Sequence, residues 1–118
     1  MKVKRYHQIF DIDNCNEHIN SIQFLRYIQQ KMAMAVGIKI SDGSVALEGN
    51  PEGSGYSSLC TVEFSNIALQ TFSNTKKVHI DIFSFKEWDW EKIKQLLTEA
   101  FATKNSEVKN RKVQWGNN

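Results

Sequence analysis

The sequence has little of the chemistry that announces a function. Cys15 and Cys60 are its two cysteines in 118 residues, with no metal-type spacing and too few thiols for a disulfide framework. They read as reduced thiols of a cytoplasmic protein, and no metal site is expected. Basic residues number 15 against 13 acidic, a net charge of +2, with no basic block. Binding to a nucleic acid polymer is therefore not favoured. No apolar run approaches a membrane span, and "MKVKRYHQIF" lacks the apolar centre of a signal peptide. There is no internal repeat, low-complexity tract or linker, so residues 1–118 read as a single domain.

What is present is a folded pattern, 41% hydrophobic and 11% aromatic. Lys2–Ile12 alternates like a strand. Ile22, Leu25, Ile28, Met32 and Val36 then recur at helical spacing, with Asn14 or Asn16 as the cap and Gly37 at the end. Ile38–Leu47 reads as a strand closed by the loop "EGNPEGSG". Tyr56–Phe64, Ile67–Phe72 and Lys77–Phe85 follow as strands. "EWDWEKIKQLLTEAFATK" is an amphipathic helix with Ile93, Leu96, Leu97, Ala100 and Phe101 on its buried stripe, and Glu107–Trp115 is a last strand. The order β-α-β-β-β-β-α-β predicts an α+β two-layer sandwich, an antiparallel-rich sheet with both helices on one face.

Alternation sorts the strand residues. Val78, Ile80 and Ile82 take the side under the helices, and His79, Asp81, Phe83 and Phe85 take the other. In the first strand Tyr6, Phe10 and Ile12 share a side, leaving Arg5, His7, Ile9 and Asp11 opposite. Glu63 and Ser65 share parity, which places both at one cavity, and Gln70 lies one strand further on. A solvent face carrying stray aromatics is one account of this. A face packed on a second sheet, with a polar pocket in it, explains the density of aromatic and ionisable groups better. The chain is too short to supply that sheet, so the expected partner is another copy, making a homo-oligomer.

The segments "YHQIFDIDNC", "GYSS", "SNIALQTF", "VHIDIF" and "DWEKIKQLL" resemble bacterial S-adenosylmethionine decarboxylase. The resemblance implies a two-layer α+β subunit whose sheets meet in a dimer, with substrate sites on that face. It also implies self-cleavage at a Glu-Ser bond that turns the serine into a pyruvoyl group. In the family's "ESHLTIHTW" pattern the serine falls on Ser65, the glutamate on Phe64 and the processing histidine on Gln70. The proton-donating cysteine, two residues after "DVF", falls on Phe85. A serine hydroxyl needs a base within reach; glutamine is no base and phenylalanine donates no proton. A pyruvoyl group at Ser65 is therefore not expected, nor is another cofactor. Asp11 falls where the family carries a pocket carboxylate and Asp81 where it carries an aspartate, whereas its adenine clamp has no clear counterpart near Asn50 and Pro51.

The candidate catalytic residues are thus Glu63, Ser65 and Gln70, and the candidate substrate-binding residues are His7, Asp11, Tyr56, His79 and Asp81. Singly they have ordinary roles: His79 as a satisfied buried histidine, Asp81 as a turn cap or a partner of Arg5. Together, carboxylates beside aromatic rings suit a sulfonium cation. The expected ligand is S-adenosylmethionine or a related sulfonium nucleoside or nucleotide adduct. One sulfonium reaction asks little of a protein: in a lyase the substrate's own carboxylate attacks its γ-carbon, releasing methylthioadenosine and homoserine lactone. A non-catalytic binder or regulator is the alternative from another class. A divergent pyruvoyl decarboxylase of polyamine biosynthesis is the third reading.

Overall fold

In a computed structural model, which describes residues 4–39, 45–48 and 55–115, the strands are β1 (Tyr6–Ile12), β2 (Val45–Glu48), β3 (Tyr56–Val62), β4 (Ser65–Phe72), β5 (Lys77–Ser84) and β6 (Val108–Lys112). The helices are α1 (Ile22–Ala35) and α2 (Trp90–Phe101), with a short 3-10 turn over Glu17–Asn20. The strands form a single sheet in the order β2-β3-β4-β5-β1-β6, every neighbour pair antiparallel. The predicted α+β two-layer class is the one observed. β1 sits between β5 and β6, so its side chains lie well inside the sheet.

Both helices cover one face. Phe10, Ile12, Ile67, Leu69, Val78, Ile80 and Ile82 from the sheet share one core with Leu25, Ile28 and Met32 of α1 and Ile93, Leu97 and Phe101 of α2. Each such side chain contributes about 1.5–3 kcal/mol by leaving water. Leu96 is only partly buried at the edge of the α2 stripe. α1 starts later than expected: Ser21 is its cap, its Oγ accepting from Phe24 N at 3.1 Å. Asn16 instead caps the 3-10 turn, accepting from His18 N at 2.9 Å. Gly37, at φ +70°, ends α1 as its position predicts.

Gln29 and Ser58 inside this layer are satisfied within it, whereas the buried Trp88 Nε1 finds no partner among the described residues. Gln29 of α1 is fully buried; its Nε2 donates to the carbonyls of Ser58 and Ile67 at 2.9 and 3.1 Å, and Ser58 Oγ donates to Oε1 at 2.7 Å. That one amide ties α1 to the β3–β4 pair. Gly55 fits because the chain presses on β4 there: a Cβ would lie 1.9 Å from the Thr71 carbonyl oxygen. Cys15 and Cys60 are free and buried; burial pushes the Cys15 thiol up to about 11 and raises Cys60 as well, which makes both poor nucleophiles. Among the described residues no helix is long and apolar enough to cross a membrane. Residues 40–44 of the expected second strand, and Asn50 and Pro51 of the loop, lie outside the described residues.

Candidate active site on the open face of the sheet

The face without helices is a grid set by register. One row crosses five strands as Ser57, Gln70, His79, Asp11 and Lys109. The next runs Leu59, Ala68, Asp81, Ile9 and Arg111, and a third runs Thr61, Asn66, Phe83 and His7. Cross-strand neighbours on one face stand within side-chain reach, so the grid fixes the contacts. His79 Nδ1 meets Asp11 Oδ1 at 2.8 Å within the first row. His7 Nε2 meets Asp81 Oδ1 at 2.8 Å on the diagonal between the third and second rows. Ser57 Oγ donates to Gln70 Oε1. Two histidine–carboxylate pairs therefore stand on adjacent strands, with the donor on opposite strands in each.

Aromatic rings close one end of this face. Phe83 lies edge-on to His7, Phe85 and Trp115, with centroids 5.2–5.8 Å apart. Trp115 stacks on His7 at 5.9 Å and carries the Arg5 guanidinium 5.6 Å from its ring centre. Two depressions meet at His79. One, of about 280 Å³, is lined by Asp11, Asp13, Lys77, Glu107 and Lys109. The other, of about 400 Å³ and mostly apolar, is lined by Ser57, Leu59, Ala68 and Gln70. Small-molecule sites run from about 300 to 1,000 Å³ and bury most of their ligand; neither depression encloses a nucleoside alone.

His7, Asp11, Gln70, His79 and Asp81 are brought together on this face. Three other candidates are not. Glu63 and Ser65 do not share a face: the chain reverses between them, Val62 pairs with Ser65, and Glu63 and Phe64 form the turn. Alternation holds along a strand and not through a tight turn, and there the parity reading fails. Ser65 belongs to the helix-covered side, 5% exposed, while Glu63 is exposed at the hairpin tip. Tyr56 shares its side with Ser58, Cys60 and Val62 and packs against the core, away from the open face. Asp81 pairs with His7, and His79 is only part-buried.

A family model described as S-adenosylmethionine decarboxylase matches residues 6–113. The chain belongs to that family. Its fold also superposes on the crystal structure of the adenosylmethionine decarboxylase from Aquifex aeolicus VF5, with a TM-score of 0.74 and 11% identity over 94% of this chain and 91% of that one. No curated protein sequence matches.

The family's pyruvoyl group would arise at Ser65, and the surroundings of that serine do not fit it. Ser65 Oγ donates to Ser84 Oγ at 2.6 Å, and Ser84 Oγ donates to the Lys86 carbonyl at 2.6 Å. The relay ends on a carbonyl, and among the described residues neither imidazole nor carboxylate joins it to accept a proton. Phe64 sits at φ +58°, uncommon for an aromatic residue. Its turn is clamped from two sides, by Glu63 N on the Lys39 carbonyl and by Phe85 N on the Phe64 carbonyl, both 2.9 Å. Ser57, Lys109 and Trp115 are the site residues that sequence reasoning missed. For the first two the signal was strand parity; Trp115 carried none, because its contact depends on where the chain turns after β6.

Proposed function

We propose that this family member works without a pyruvoyl group on S-adenosylmethionine or a derived sulfonium adduct, as a lyase. The observation that carries the reading is the division of labour across the sheet. The serine is buried with no base beside it among the described residues, while two carboxylates, an amide and three aromatic rings gather on the opposite face. In the reaction a substrate carboxylate oxygen bonds to the γ-carbon as the carbon–sulfur bond breaks, and the electron pair stays on sulfur. Methylthioadenosine and homoserine lactone leave without any proton transfer, so no general acid or base is required. The protein's part is to hold the chain folded for attack and to exclude water.

Asp11 and Asp81 supply negative charge for the substrate's cationic groups, Gln70 and Ser57 a polar wall, and Phe83 and Trp115 π faces. Strong attraction to the sulfonium alone would not speed the reaction, because that charge disappears as the bond breaks. A carboxylate on the substrate's ammonium group holds equally well throughout and leaves the substrate carboxylate free. The missing wall of the shallow site is a second copy, making a homo-oligomer through the open face. Glu63 enters through that copy, as an exposed carboxylate on a clamped tip.

The test is incubation of purified protein with S-adenosylmethionine and product analysis. Methylthioadenosine and homoserine lactone are expected; tight binding with no product on prolonged incubation replaces the lyase by the binder. The left-handed Phe64 before Ser65 favours one other reading, divergent self-processing at that bond, since strained backbone clusters at functional sites. Intact mass decides: one full-length species is expected, and two fragments meeting at Ser65 would establish the pyruvoyl route.

A further inference from the structure

The chain beyond β6 continues along β1, with Val113 N on the His7 carbonyl at 2.9 Å. This brings Trp115 Nε1 to His7 Nδ1 at 3.2 Å. An indole N–H only donates, so His7 Nδ1 must accept and carries no proton. The ring's proton then sits on Nε2, directed at Asp81 Oδ1 at 2.8 Å. His79 differs. Its Nδ1 is the atom facing Asp11, and among the described residues its other nitrogen meets no donor that would fix the ring.

We infer that Trp115 is a positioning residue: its N–H fills Nδ1 of His7 while Asp81 holds the proton on Nε2, and the ring pinned at both nitrogens fixes the orientation of Asp81 as the carboxylate of the site. With Oδ1 engaged by His7, the second oxygen of Asp81 remains to accept from a substrate ammonium group. Trp115 also occupies the nitrogen through which His7 would otherwise take a proton. The His7–Asp81 pair therefore offers placed charge in place of a base, which is what a cleavage without proton transfer uses. That last link rests on the proposed lyase reading; the proton placement does not.

The decisive measurement is nitrogen-15 NMR of the full chain at about pH 8.5, two units above the ordinary imidazole value of about 6.5. A coupling across the hydrogen bond between Trp115 Nε1 and His7 Nδ1 is expected, with the shift pattern of an Nε2–H tautomer. His7→Asn identifies the signals by their loss. Trp115→Phe keeps an aromatic ring beside His7 and removes the N–H donor. Asp81 still holds the proton on Nε2, so the neutral tautomer should persist. The freed Nδ1 should take a second proton at higher pH than in the wild-type protein, and the Kd for S-adenosylmethionine should rise about tenfold, the scale of one charge-assisted contact loosened. An Nδ1–H tautomer in the wild-type protein overturns the inference, whether or not the variant folds. So does a His7 protonation profile unchanged in Trp115→Phe. A shifted profile with unchanged Kd removes Asp81 as the substrate's carboxylate. Wild-type protein that shows the coupling yet binds no S-adenosylmethionine sinks the sulfonium reading and leaves the proton placement standing.

Discussion

Polar side chains on the helix-covered face of the sheet serve structure. Gln29 bridges α1 to two strands, Ser65 and Ser84 bond to each other, and Thr71 Oγ1 accepts from the backbone N of Tyr56 at 2.8 Å. On the open face the polar residues pair with one another, as His7 with Asp81 and His79 with Asp11, and they stand among half-buried rings. Phe85 remains 49% exposed there and Trp115 38%. Among the described residues the sheet thus has one face covered by its own helices and one left uncovered. Contiguous exposed apolar surface is uncommon in monomers, which supports the proposal that a ligand and a second copy meet the open face.

The largest expected effect separates the faces by folding. Phe10→Ala removes a fully buried ring from the core and should cost about 3–5 kcal/mol in urea unfolding. Phe83→Ala, on the open face, should cost about 1 kcal/mol, the worth of its aromatic contacts. Equal losses measured on dilute protein would mean the open face is already a core. Next comes Gln29→Ala, which leaves Ser58 Oγ and two carbonyls short of a partner; about 1–3 kcal/mol should be lost. A neutral result would show that water reaches the α1–β3 contact.

Much of the fold was legible because alternation and helical spacing report burial directly. Val78, Ile80 and Ile82 named the covered face, and Ile93, Leu97 and Phe101 named the helix stripe that meets it. His7, Asp11, Gln70, His79 and Asp81 followed from the same parity. What alternation could not carry was a reversal of direction. Glu63, Ser65 and Gln70, read as one cluster, separate to a tip, a core-facing position and the open face, because two residues suffice to turn the chain. Gln29 and Trp115 escaped for a related reason: each acts through partners distant in sequence, which no local pattern records.

A smaller effect on the single chain, with a clear effect on assembly, is expected from Phe85→Asp. The side chain is half exposed, so unfolding of the dilute protein should change by no more than about 0.5 kcal/mol. A charge buried between two copies without a partner is another matter, and light scattering should show the oligomer replaced by monomer. Wild-type protein that is already monomeric at micromolar concentration removes the face-to-face arrangement and with it the second wall of the site.

The least disturbance to the fold is expected at Glu63, and it sharpens the comparison most. Its side chain is exposed, and its backbone N–H bond to the Lys39 carbonyl survives any substitution but proline. Glu63→Gln should therefore leave stability within about 0.5 kcal/mol. The adjoining Phe64 is 60% exposed at its left-handed φ, so the tip is a rigid projection that a neighbouring copy can receive. If that tip completes the neighbour's open face, Glu63→Gln should slow methylthioadenosine formation by about a hundredfold, the scale of a lost positioning contact. Mixing it with a His79→Ala variant should then restore part of the rate, since a mixed assembly contains one site with both residues intact. Normal turnover by Glu63→Gln would confine the site to the open face of a single chain. Slow turnover without recovery on mixing would place Glu63 and His79 in the same copy's site, against the separation that the hairpin imposes.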